Sequence, residues 1–170
     1  MNLSTTVWLS VDGASRLSGV ARWRGTSLVS TTLVKGVTWS AWRTVVEGAS
    51  AMVVEDGFTG KSRKTGIVLG KARGRIEAFG EVLGCELVAT YQPAAWRRLI
   101  GISTAASREV QKRSARVQCQ WLASHPATRP AAPAGSRWNG HHLPGLANVS
   151  IDEQEAALLG LAWLVDTDQI

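Results

Sequence analysis

Three strand-like runs stand back to back at the start of the chain, and beyond Gly36 strand-like and helix-like runs alternate. Residues 6 to 12 are an apolar run ending in an acid. The turn signal DGAS separates them from LSGVARW, and Arg24-Gly25-Thr26 separates that run from SLVSTTLV. Short runs rich in Val, Thr and Trp, bounded by Gly, Asp and Ser, read as strands, and connections this short make neighbours antiparallel. TWSAWRTVVEGAS then opens on a Thr/Ser start signal and places Trp39, Trp42, Val46 and Ala49 on one face, predicting a helix of about three turns. MVVE returns as a strand, Arg63 to Leu83 is helical in period, and CELVATY is a fifth strand. PAAWRRLI and residues 104–122 are helical again, before a last helix at the C-terminus. This order predicts an α/β fold with a mixed five-stranded sheet, three antiparallel strands and then parallel ones, flanked by helices.

At 170 residues and 45% hydrophobic composition the chain suits one domain, residues 1–170, with enough apolar residues for a sizeable core. A formal charge of +6 favours an acidic partner. The excess is concentrated: residues 61 to 116 carry twelve Lys/Arg against four Asp/Glu. A solvated basic surface is one reading of that segment, and a nucleic-acid surface is the other. Cys85 and Cys119 are far apart in apolar surroundings and are expected to be buried thiols. No run approaches the roughly 20 apolar residues needed to cross a bilayer, and the N-terminus lacks a signal-peptide pattern, so a cytoplasmic, membrane-free setting is expected.

Four acids stand at the ends of apolar segments: Asp12 closing VWLSVD, Glu55 closing AMVVE, and Asp152 and Glu155 opening DEQEAALLGLAWL. With the first strand central and the fourth beside it, the two strand ends meet under the last helix. Asp152 and Glu155, three apart on a helix, share a face, while Ala157, Leu158, Leu161, Ala162 and Leu164 supply its packing. Each acid has a plainer reading: helix capping for DEQE, turn initiation for Asp12 and Glu55. Together they outline a site for divalent cations that handles phosphates, the chemistry of a nuclease.

Several ordered motifs then resemble one family. LSVDGASRLSGVARW, with Asp12, Gly13 and Gly19, is similar to the opening strand and turn of RuvC-type Holliday-junction resolvases, nucleases of the ribonuclease-H-like, retroviral-integrase superfamily. VVEDGF matches an acidic strand end followed three residues later by an aromatic, here Glu55 and Phe58. LGKARGRI, Tyr91-Gln92-Pro93, LIGIS, the REVQKRSARV helix and the closing acid-x-x-acid-Ala pattern follow in the family's order. The resemblance spans roughly residues 6 to 165, interrupted by 124–150, and it implies a ribonuclease-H-like sheet and a homodimer. It also implies binding of four-way junction DNA and symmetric cutting with two Mg²⁺ ions per active site, Mn²⁺ being the other candidate metal. Asp12 would bridge the cations, with Glu55, Asp152 and Glu155 completing their ligands. The family has Asp or His at the last position, so Glu155 is a departure and Glu153 a rival for it; the helical angle favours Glu155.

The same resemblance gives Phe58 a stacking role at the junction crossover, with core packing as the alternative. Lys61, Arg63 and Lys64 beside it are expected at phosphates. Arg97, Arg98, Arg108 and Lys112 are the other expected DNA contacts, with Trp96 competing for the position of Arg97 and Ser107 for that of Arg108. Arg108, Lys112 and Arg116 form a basic stripe opposite Val110, Val117 and Trp121. Glycines 66, 70 and 74 share one helical face, which predicts close packing either on the helix's own sheet or against a partner helix; the resemblance implies a part in the dimer interface. Residues 124–150 hold four of the five prolines and no acid, and have no counterpart in the family. Such a loop is functional or disordered. Its Arg137, Trp138, His125, His141 and His142 are open to DNA contact, and His142 is a weak candidate for proton transfer.

Three competing functions bear on the same residues. A ribonuclease-H-like enzyme for RNA–DNA hybrids or for branched or linear DNA would use the same carboxylates. A non-catalytic junction-binding protein would have lost one of Asp12, Glu55 or Asp152, and all are present. An actin-like ATPase would need a second such domain, for which the chain is too short.

Overall fold

The structure, a computed structural model, describes residues 3, 5–56, 62–102, 104, 107–127, 138 and 141–170. Among these, five strands form one sheet: β1 (Val7–Asp12), β2 (Leu17–Arg24), β3 (Ser27–Lys35), β4 (Ala51–Glu55) and β5 (Glu86–Tyr91). Their order is β3-β2-β1-β4-β5, antiparallel across β3, β2 and β1 and parallel from β1 through β4 to β5. The expected mixed sheet is therefore present, with β1 at its centre and β4 beside it.

Period-two alternation sorts the sheet into two faces. Leu9, Val11, Val20, Met52 and Val54 pack with Trp42, Val46 and Ile76 under α1 (Trp39–Val46) and α2 (Arg63–Val82). Trp8, Ala21, Trp23, Ala51 and Val53 pack on the other side. That side carries α3 (Pro93–Leu99), α4 (Arg108–Ala123) and α5 (Ile151–Asp166). The alternation continues to the strand ends, so Asp12 and Glu55 fall on the α5 side.

Helix α5 is the keystone of this layer: every residue from Gln154 to Val165 is buried. Two details let it lie close to the sheet. An added Cβ at Gly160 would come within 2.5 Å of the Trp23 ring, and one at Gly19 would lie 1.9 Å from the backbone oxygen of Asp152. Only glycine fits at either place. A buried relay crosses the same contact, Trp23 Nε1 donating to Ser10 Oγ at 2.9 Å and Ser10 Oγ to the Ala156 carbonyl at 2.6 Å.

Three expectations are corrected. Helix α1 spans eight residues, capped by Thr38 and ended before Gly48 at φ 76, so Ala49 is buried outside it and Trp39 stays 41% exposed. Helix α4 begins after Ser107, whose hydroxyl caps it, and buries Ala115, Gln118, Cys119 and Leu122. Val110 and Val117 are exposed instead, because they lie off the face that approaches α5, where Cys119 Sγ lies 4.0 Å from the Gln154 carbonyl. Within 124–150, Trp138 is buried edge-on against Trp121, and Leu143 and Leu146 join the same core. His142 sits against the carbonyl of Ala123 at the C-terminal end of α4.

Both cysteines are buried free thiols, as expected; burial pushes the Cys85 thiol up to about 11 and that of Cys119 higher still. Among the described residues no helix is long and apolar enough to cross a membrane.

Candidate active site

The carboxylates converge where β1, β4 and α5 meet. Oxygens of Asp12, Asp152 and Glu155 all lie within 4.8 Å of one another. Asp12 arrives at the end of β1, opposite Gly19 on β2. Because Gly19 has no side chain, the first turn of α5 descends onto the sheet there, which brings Asp152 to Asp12. Glu155 follows one helical turn on and is 4% exposed.

Glu55 joins from β4, fixed by a neighbour that sequence reading considered only as a DNA contact. The indole Nε1 of Trp96, on α3, donates to Glu55 Oε2 at 2.6 Å. The next residue, Arg97, lays its guanidinium 4.6 Å from the Trp96 ring centre and donates from Nη2 to Glu155 Oε1 at 2.7 Å. Expected at a phosphate, Arg97 is turned inward, with its side chain 12% exposed. Nothing in the local pattern of PAAWRRLI announces either role. Placing them requires knowing that α3 leans over the end of β4.

The electrostatics are those of a crowded acid cluster. Burial, and then the charges of Glu55, Glu155 and Asp152, hold the Asp12 carboxyl well above the usual carboxylate range, while Arg97 pulls it down. Burial raises Glu55 to about 7, against the Trp96 hydrogen bond and the charges of Arg97 and Arg108, with Glu155 adding to the rise. Among the described residues four carboxylates gather around one paired guanidinium, with Arg108 acting on Glu55 from further off, an imbalance that hard divalent cations with oxygen ligands would relieve. The donor set fits such ions.

Glu153, the rival for the fourth position, is otherwise occupied. It forms a capping box with Ser150 and accepts a hydrogen bond from Thr31 Oγ1 at 3.0 Å. The acidic start of α5 thus does two jobs, Glu153 capping the helix while Asp152 and Glu155 face the cluster.

Of the basic residues singled out, Lys64, Arg98 and Arg108 are exposed and Lys112 is half-buried. Arg108 is close enough for its charge to act on Glu55. Phe58 and Lys61 lie outside the described residues, as does the side chain of Arg63. His142 is placed at the end of α4 remote from Arg108, along a helix of 16 residues, about 24 Å.

A second polar cluster, which the sequence did not reveal, adjoins the first. Asp56, next to Glu55, pairs with Arg73 of α2 and accepts from Gln92 Nε2. Arg73 also pairs with Glu77 one turn along α2. This network ties the end of β4 to α2 and to the start of α3.

No protein-family model and no curated protein matches the chain. Its fold is that of solved RuvC-type resolvases. The chain resembles T. thermophilus RuvC in complex with a Holliday junction substrate at a TM-score of 0.61 and 13% identity, over 96% of this chain and 95% of that one. A second structure, Thermus thermophilus RuvC, gives 0.57 and 15% identity over 95% and 97% of the two chains. The yeast mitochondrial Holliday junction resolvase Ydc2 gives 0.55 and 10% identity over 99% of this chain and 83% of that one. At these identities the likeness is one of fold.

Proposed function

We propose that this protein is a metal-dependent endonuclease that resolves four-way (Holliday) DNA junctions, its 170 residues forming one RuvC-like nuclease domain that works as a homodimer. The observation that carries this reading is the convergence of Asp12, Asp152 and Glu155, with Glu55 beside them, in a fold whose solved neighbours are junction resolvases.

Asp12 is the central ligand, because it lies between Glu55 on one side and the α5 pair on the other. Two Mg²⁺ or Mn²⁺ ions, about 3.5–4 Å apart in sites of this type, would supply an activated water and stabilise the leaving 3′ oxygen. Asp12 would bridge the two positions, with Glu55, Asp152 and Glu155 completing them. The Trp96 indole keeps the Glu55 carboxylate aimed into the cluster, and Gly19 keeps Asp152 there.

Junction DNA would be held by Phe58, Lys61, Arg63 and Lys64 after β4, and by Arg98, Arg108 and Lys112 on α3 and α4, with Arg97 nearest the carboxylates. The exposure of Lys64, Arg98 and Arg108 and the closeness of Arg108 to Glu55 support that assignment. The dimer reading rests on α2. Added Cβ atoms at Gly70 and Gly74 would meet nothing within 4 Å, so those glycines are not spent on the protein's own sheet. Ile67 and Val68 on the same helix are 50% and 42% exposed.

The test is a cleavage assay with Mg²⁺ or Mn²⁺ on mobile four-way junctions, linear duplex and RNA–DNA hybrid. Symmetric paired nicks in the junction are expected. Asp12→Asn should lower cutting by about a thousandfold or more while leaving junction binding, the scale of losing a central metal ligand. Equal cutting of linear duplex or of hybrid would overturn the junction assignment and leave a nuclease. Junction binding without any metal-dependent cutting would identify a non-catalytic binder.

A further inference from the structure

One cation already occupies the carboxylate cluster, and it belongs to the protein. The Arg97–Glu155 pair is well buried, with side-chain exposures of 12% and 5%. Its geometry is incomplete. Arg97 Nε is buried without a hydrogen-bond partner, so the guanidinium commits one nitrogen to Glu155 and leaves another donor unsatisfied. The guanidinium also lies against the face of the Trp96 ring, which accepts a cation without fixing its hydrogen bonds. A buried arginine held in this way is poised to exchange partners, since a full set of acceptors would hold it far more firmly.

The carboxylate oxygen that Arg97 holds is Glu155 Oε1, and Glu155 is one of the three acids whose oxygens come together. A cation that takes the Glu155 oxygen held by Arg97 must displace the guanidinium from it. Resting on the metal-site reading above, we infer that Arg97 is a resident counter-ion that neutralises Glu155 in the metal-free protein and competes with the divalent cation for it. Metal loading is then an exchange of one cation for another. The release of Arg97 leaves a positive charge, with its donors unpaired, at the lip of the site.

The inference separates Arg97 from an ordinary positioning residue by the sign of one effect. If Arg97 merely aimed Glu155, its removal would weaken metal binding; as a competitor, its removal must strengthen it. Calorimetric titration of the full chain with Mn²⁺, without DNA, should show Arg97→Gln binding on the order of tenfold tighter than wild type, the scale of one close charge–charge contact in a partly buried site. The metal-free variant should melt at a lower temperature than wild type, and saturating Mn²⁺ should close most of that gap. Arg97→Lys, which keeps the charge, should bind Mn²⁺ within about threefold of wild type. Equal or weaker Mn²⁺ binding by Arg97→Gln overturns the inference.

A second measurement needs no variant. In crystals of the wild-type protein soaked with Mn²⁺, the Arg97 to Glu155 contact should be broken. A contact still at 2.7 Å with Mn²⁺ bound at Asp12 overturns the inference too. If wild type binds no Mn²⁺ at all, the metal-site reading itself fails and takes this inference with it, an outcome distinct from either of the others.

Discussion

Glu55 and Asp56 are neighbours in sequence, yet they belong to clusters balanced in opposite ways. Asp56 is matched: Arg73 and Gln92 hold it, and Arg73 pairs in turn with Glu77. Glu55 joins a group of four acids whose close basic partner is Arg97, and burial with mutual repulsion raises its pKa and that of Asp12. The Asp56 network sets two carboxylates against one guanidinium, joined by direct ion pairs. Among the described residues, the Glu55 group sets four carboxylates against the one guanidinium that pairs with them, that of Arg97. The contrast, within a few residues of chain, is between carboxylates held in direct ion pairs and carboxylates raised in pKa by burial and each other, and the second kind marks the candidate site.

The comparison can be broken most directly at Gly19. A methyl group there would lie 1.9 Å from the Asp152 carbonyl oxygen, so Gly19→Ala must push the first turn of α5 off the sheet. We expect a loss of about 1–3 kcal/mol in denaturant unfolding and near-complete loss of metal binding, with the Asp56 network intact. If metal affinity survives, α5 is not positioned as described. Next in size is the matched cluster: Arg73→Met should cost about 1–2 kcal/mol, discounted because its partners are partly exposed, and should leave Mn²⁺ affinity little changed. In the unmatched cluster the sign should reverse. Asp12→Asn in the metal-free protein should be neutral or stabilising by up to about 1 kcal/mol, because it removes repulsion. Equal destabilisation by both variants would erase the distinction.

The smallest effect is on pH dependence. The folded-state pKa of Glu55 is raised from 4.5 to about 7, so folding favours its protonated form. The stability it contributes is present below about 4.5 and is lost as pH rises through about 7. With chelator present, wild type should therefore lose melting temperature relative to Glu55→Gln across that window. A constant difference between the two would show that Glu55 titrates normally.

Much of this was legible in the chain. The strands and their order followed from short apolar runs and turn residues, and Asp12, Glu55 and Asp152 could be placed because strand ends and a helix start are punctuated by Gly, Asp and Ser. The helical angle favoured Glu155 over Glu153 beside the other acids, and in the structure Ser150 and Thr31 engage Glu153. What escaped depends on contacts between distant elements. The inward turn of Arg97, the Trp96 to Glu55 hydrogen bond and the Asp56 network each join residues at least 17 positions apart. The buried face of α4 was misjudged because the apolar residues do not mark it: Ala115, Gln118, Cys119 and Leu122 are buried, and Val110 and Val117 are not.

Helix α5 both completes one face of the core and delivers Asp152 and Glu155. In chain order α5 follows all five strands, and so follows Asp12 and Glu55 at the ends of β1 and β4. Two of the four clustered acids, and much of the layer that buries Trp8 and Trp23, arrive together with α5. A chain without α5 therefore loses Asp152 and Glu155 for the same reason that it loses the cover of Trp8 and Trp23.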